Sequence, residues 1–111
     1  MVNRQRGEVE AVLDGRTWTL CLTLGALAEL EASLAAGDLM GLARRFEAGT
    51  LTAADAIRII GAGLRGAGND IDDTAVARMR AEGGAAGYVA IVAELLAVTF
   101  GGGANDETRT A

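Results

Sequence analysis

The sequence has no histidine, no proline and no lysine, and a single cysteine among its 111 residues. Without histidine, the commonest general base and metal ligand is missing. A lone Cys21 can form neither an internal disulfide nor a thiolate metal cluster. These absences exclude zinc modules, Ser-His-Asp or Cys-His nucleophilic catalysis, and disulfide-framed secreted scaffolds. What is there is apolar and acidic. Half the residues are hydrophobic, and fifteen Asp and Glu against ten Arg give a net charge of −5. Such a composition folds rather than staying disordered, and it does not favour a single-stranded nucleic acid. The length suits one compact domain.

The amino terminus, Met1-Val2-Asn3-Arg4-Gln5-Arg6-Gly7-Glu8, follows its two cations with an acid instead of an apolar run. No secretory signal is expected. The most apolar stretch, residues 85–100, is short for a membrane span and contains Glu94, so a buried core helix is the expectation. The chain reads as cytoplasmic and reduced, with no membrane contact.

Residues 7–23 predict a β-hairpin, because Asp14-Gly15 is a strong signal for a type I′ turn. A turn there pairs Leu13 with Arg16, Val12 with Thr17, Ala11 with Trp18 and Val9 with Leu20. Val9, Ala11, Leu13, Trp18, Leu20 and Leu22 then share one face, and Glu8, Glu10, Thr17, Thr19 and Cys21 the other. A hairpin is marginal alone, so its apolar face needs helices to dock on.

From Leu24 the period becomes helical. Leu24, Leu27, Leu30 and Leu34 form a stripe, with Thr23 as N-cap and Gly37 as C′ residue. A second helix, capped by Asp38 and ended by Gly49, places Leu39, Leu42, Ala43 and Phe46 inward and Arg44, Arg45 and Glu47 outward. Thr52-Ala53-Ala54-Asp55 reads as a capping box opening a third helix, with Ile57, Ile60 and Leu64 inward and a glycine-frayed end. Residues 69–74 form a polar linker in which Asp72 or Asp73 caps a fourth helix bearing Val76 and Met79. Gly83 and Gly84 precede a last helix that is apolar on nearly every side, from Tyr88 to Phe100. Such a helix sits centrally in a bundle or is covered by a partner. The expected fold class is α+β, mainly α: an N-terminal β-hairpin packed on a bundle of four to five short helices. Residues 1–100 form the domain (hairpin 7–23, helices 24–100) and 101–111 a disordered tail.

Candidate chemistry is sparse. Gly61-Ala62-Gly63-Leu64-Arg65-Gly66 has the letters of a dinucleotide fingerprint, but the glycines follow a helix instead of a strand, and an acidic segment comes next. Asn69, Asp70, Asp72 and Asp73 lack the alternation, central glycine and distal glutamate of a calcium loop. Glu29 and Glu31, two apart on a helix, do not face each other. Cys21 has no assured cation to activate it. Arg58 can pair with Asp55, and Arg78 with Glu82, at helical spacing. The reading from residues alone is a small non-enzymatic domain, with no cofactor and no metal site.

Three stretches together resemble a known family: Asn3-Arg4-Gln5-Arg6-Gly7-Glu8; residues 20–31 containing Leu22-Thr23-Leu24-Gly25-Ala26-Leu27-Ala28-Glu29-Leu30-Glu31; and Gly63-Leu64-Arg65-Gly66. Leu42-Ala43-Arg44-Arg45-Phe46 and Asp55 fit between them. Their order and spacing over residues 3–100 are similar to those of the gene transfer agent family of small proteins encoded in phage-like tail clusters. Its members are described as tail assembly chaperones or, more loosely, as tail tube proteins. The resemblance implies a tail-chaperone-like domain that transiently binds the tape-measure protein, and tail tube subunits as well, with homo-oligomers open and no nucleic acid as partner. Apolar side chains at the edges of the stripes, Met40, Leu51, Ile71, Met79 and Tyr88, are the expected contact residues. A structural tail component retained in the particle is the alternative. A small DNA-binding regulator using Arg44, Arg45, Arg58 and Arg65 is a third reading, from a different class.

Overall fold

The computed structural model describes residues 3–33 and 39–101. Asp14 and Gly15 both take positive φ, 54° and 73°, as a type I′ turn requires. They join β1 (Glu8–Leu13) to β2 (Arg16–Cys21) in the expected register, Leu13 opposite Arg16 and Val9 opposite Leu20. Val9, Ala11, Leu13, Leu20 and Leu22 are buried, while Trp18 is half-buried. The Trp18 indole N–H donates to the Leu13 carbonyl at 3.2 Å. The Arg16 guanidinium stacks over the same ring, 4.4 Å from its centroid. Residues two apart on a strand share a face, so this cation–π pair was implicit in the register.

Both free edges of the hairpin are partly closed. In this register Glu8, Glu10 and Val12 of β1, and Thr17, Thr19 and Cys21 of β2, direct their backbone groups outward. On β1, Glu8 N–H donates to Asn3 O and Val12 O accepts from Glu82 N–H, and Leu13 bridges to Ala81. On β2, the Asn69 amide donates to Thr19 O at 3.0 Å. A Cβ at Gly66 would overlap the Cys21 carbonyl oxygen, so a helix end lies directly on that edge. Between the closed ends of β1 stands Glu10, exposed and charged, a residue type that discourages pairing with another strand.

Among the described residues five helices follow: α1 (Leu24–Ser33), α2 (Leu39–Ala48), α3 (Ala53–Gly66), α4 (Asp73–Ala77) and α5 (Gly84–Leu96). A π-helical turn, Ala97–Gly101, extends α5. Thr23 caps α1, its Oγ1 accepting from Ala26 N–H at 3.1 Å. The Thr52–Asp55 capping box closes in both directions, each bond 3.1 Å. Asp72 caps α4, and Gly83 enters α5 at φ 91°. Gly37, Asp38, Leu34 and the tail from residue 102 lie outside the described residues.

The central element is α3, which packs on β2, α1, α4 and α5. Residues 59–64 are all buried in succession, the mark of a helix with neighbours on most of its sides. The glycines expected to fray this helix instead let its neighbours close in: Gly63 lies against Leu20 and Leu95, and Gly66 against Cys21 and Ala26. Helix α5 is therefore not central. It buries Ile91, Val92, Leu95 and Leu96, and leaves Ala86, Val89 and Ala90 exposed.

Three expected orientations are corrected by this packing. Leu24 is 84% exposed. The Gly66 contact turns Ala26 and Leu30 of α1 toward α3, and Leu24, two residues from Ala26, points some 200° away. Arg45 is half-buried instead of outward, because it lies three residues after the fully buried Leu42. Arg78 and Glu82 lose their helical spacing because α4 ends at Ala77, and both are exposed.

Candidate functional site

Helix α2 contributes one fully buried side chain, Leu42, and α4 is only five residues long. Two such slight elements cannot cover the flank of α3 and the start of α5. What remains between them is an apolar cleft of about 620 Å³. Phe46 and Leu51 wall it from the α2 side, Ala56, Ile57 and Ile60 form its floor on α3, Val76 and Met79 close one end, and Tyr88, Val89 and Val92 stand on α5. Val89, at its lip, is 61% exposed.

The lining offers two side-chain hydroxyls, and both are engaged within the protein. Thr52 Oγ1 accepts the Asp55 N–H, and the Tyr88 hydroxyl donates to Met79 O. Pockets of 300–1,000 Å³ that hold small molecules orient them with a few convergent polar groups. Here the surface presented is hydrocarbon, suited to an apolar stripe rather than to a polar metabolite.

Of the expected contact residues, Leu51, Met79 and Tyr88 converge on this cleft. Met79 is buried, 8% exposed, contrary to the exposure expected of it, and its backbone carbonyl accepts the Tyr88 hydroxyl. Met40 is 59% exposed on α2 and lies outside the lining. Ile71 packs half-buried against the core, also outside it. Phe46, Ile57 and Val92 pack in or against the core, where helical periodicity placed them, and line the cleft as well, while Val89 belongs to the last helix, expected to be central in a bundle or covered by a partner. For Val89 and Val92 the signal was the excess of apolar surface on the last helix.

Arg45 Nη1 lies 3.1 Å from Asp55, Arg58 is 3.8 Å from the same carboxylate, and Arg65 bridges Glu29 and Asp73. Arg45, Arg58 and Arg65, considered above for nucleic acid, are thus held in ion pairs. Residues 61–66, with their dinucleotide lettering, lie inside α3, where backbone amides serve the helix itself. In the acidic segment, Asn69 bonds to Thr19 O and Leu64 O, Asp72 caps α4 and Asp73 faces Arg65. Among the described residues no group of three or more Cys, Asp or Glu is placed to hold a metal ion. No helix among them is long and apolar enough to cross a membrane.

Cys21 sits half-buried with its Sγ 3.6 Å from Arg6 O. Burial, then the charge of Glu8, pushes its thiol pKa up, and Arg6 offsets this in part. The thiolate is disfavoured, the opposite of what a nucleophile requires.

Comparison with known proteins found no curated protein and no solved structure that matches the chain. Residues 6–102 match the family described as phage tail tube protein, GTA-gp10. That match spans the hairpin, all five helices and every residue of the cleft, and the chain belongs to this family of phage and gene transfer agent tail proteins.

Proposed function

We propose that the protein is a tail assembly chaperone that transiently binds the tape-measure protein during tail morphogenesis. The observation that carries this reading is the open hydrocarbon cleft between α2, α3, α4 and α5. A tape measure is a long helical chain whose apolar stripes are uncovered until the tube surrounds it. A groove lined by Met79, Tyr88, Ile57 and Phe46 suits one turn after another of such a stripe, by helix-in-groove contact. Methionine and aromatic side chains adapt to varied partners, as repeated binding along one long helix requires. The protein acts by binding and release, not by catalysis, in the cytoplasm before the particle is complete.

The hairpin edges favour the chaperone over a tube subunit. Rings built by strand pairing need open edges, whereas β1 and β2 have theirs partly blocked by residues 80–82, Asn69 and Gly66. The second reading, a component retained in the tail, draws support from the description of the family.

Co-expression with a tape-measure fragment tests the proposal. Co-purification and a gain in fragment solubility are expected; absence of both ends the chaperone reading. Mass spectrometry of purified particles separates the alternatives, because stoichiometric retention would establish the structural role instead.

A further inference from the structure

Helix α5 carries no charged residue from Gly83 to Ala93, and no charged side chain among the described residues lines the cleft. In a chain of net charge −5 this is a neutral surface. The nearest acids along the chain lie on the other flank of α5. A Cβ at Gly87 would overlap the Glu82 carbonyl oxygen, so Gly87 faces the turn that holds Glu82. Glu94, seven residues later, shares the face of Gly87, whereas Val89, two residues on, points some 200° away. Ala85, Val89 and Val92 face the cleft, and Val89, at its lip, is 61% exposed. A helix apolar on nearly every side belongs inside a bundle, yet α5 stands at the side of this fold with its apolar edge open. Residues 102–111 hold no apolar side chain larger than alanine with which to cover it.

We infer that a second copy of this chain covers the cleft, in a closed two-fold dimer in which α5 of each copy lies along the cleft of the other. A two-fold contact uses the same patch on both copies, so the patch must match itself. Here the projecting side chain and the hollow adjoin: Val89 stands at the lip of the opening that a second Val89 would enter. Ala85 and Ala86 beside it are exposed and small, which lets two helices approach to the about 8–10 Å at which helix axes pack. Charge favours the same face, because two acidic chains repel least where they meet through an uncharged patch, with Glu82 and Glu94 turned aside. The contact closes at two copies and makes the paired α5 helices the centre of a joint bundle, the place their composition suits. This inference goes beyond the chaperone reading and does not depend on it; a partner helix that enters the cleft displaces the second copy.

Analytical ultracentrifugation of the full-length chain tests this. At about 100 μM, where a homodimer of even modest affinity is populated, the protein sediments as a dimer. Val89→Glu enters the contact twice, once from each copy, and weakens the dimer at least about a hundredfold. Ala85→Glu, beside it on the cleft wall, acts in the same direction. Both positions are exposed, so the variant monomers keep the parent's urea midpoint. Leu24→Glu, exposed but outside the lining, leaves the dimer intact. Added salt tightens the dimer, because it screens the repulsion between two acidic chains. A monomer at this concentration, a dimer that neither Val89→Glu nor Ala85→Glu weakens, a dimer that salt loosens, or assemblies that grow past two copies each overturn the inference. If the chain is monomeric and a tape-measure fragment co-purifies with it, the inference falls and the chaperone reading stands. If the chain forms a dimer that depends on Val89 and no fragment co-purifies, the chaperone reading falls and the dimer stands.

Discussion

Arg45 reaches from α2 to Asp55 in the first turn of α3, its Nη1 3.1 Å from a carboxylate that is itself only 4% exposed. The same Oδ2 accepts the Thr52 N–H, so one buried oxygen caps its own helix and anchors the neighbouring one. Arg45 Nε and Nη2 are enclosed without a hydrogen-bond partner. The guanidinium thus depends on Asp55 more than Asp55 depends on it, since the Asp55 carboxylate also has Arg58 and the Thr52 N–H.

That asymmetry makes the two single substitutions unequal. Asp55→Ala removes a helix cap and strands a half-buried cation, costing about 2–4 kcal/mol. Arg45→Met keeps the hydrocarbon stem, removes the unpartnered N–H groups and costs under about 1 kcal/mol. Urea midpoints at constant m-value measure both. Equal losses would show that the ion pair, rather than the cap and the enclosed charge, dominates.

Gly66 and Gly25 are both helical glycines with opposite expected outcomes. Alanine gains up to about 1 kcal/mol of helix propensity over glycine at either site. At Gly25 the added methyl meets only Thr23 Oγ1, 4.0 Å away, and stability rises. At Gly66 it overlaps the backbone of Cys21, which cannot rotate aside, and overpacking of about 1–3 kcal/mol outweighs the gain. Thermal denaturation of the two variants reads the sign directly; a more stable Gly66→Ala protein would mean that α3 does not press on β2.

The closed edges of the hairpin predict self-association when they are opened. Asn69→Ala leaves the Thr19 and Leu64 carbonyls without their side-chain donor, at about 1–3 kcal/mol, and exposes the β2 edge. Glu10→Val removes the exposed charge from the middle of β1. Light scattering of the double variant is expected to show concentration-dependent growth that the parent lacks. A monodisperse double variant would remove edge blocking as an explanation.

Cys21 holds its proton more tightly in the folded chain than in the unfolded one, through burial first and Glu8 second. Its folded pKa is raised, so its contribution to stability is present at neutral pH and fades as pH climbs through the folded value. Alkylation by iodoacetamide near pH 8 is expected to be slower in the native protein than in urea. Native alkylation at the denatured rate would contradict the burial of the thiol.

Much of the local structure follows from the residues in order. The Asp14-Gly15 turn sets the hairpin register because few residue pairs accept positive φ twice. Thr23, Thr52 with Asp55, and Asp72 mark helix starts because their side chains satisfy amides that the helix leaves open. The cleft was legible only in fragments. Leu51, Met79 and Tyr88 stood apart as apolar residues off the main stripes, while Ile57 and Val92 lay on those stripes and read as core.

The sequence by itself determined where each strand and helix begins and which residues are apolar, since backbone dihedrals and side-chain spacing are properties of short segments. The tertiary structure decided which apolar residues find a neighbour. Gly63 and Gly66 bring β2, α1 and α5 onto α3 at close range, turning Leu24 outward and making α3 the centre. The brevity of α4 and the slight anchoring of α2 leave one flank of that centre uncovered. Periodicity counts apolar faces, but it holds no distances, and a cleft exists only where two covered surfaces stop short of meeting.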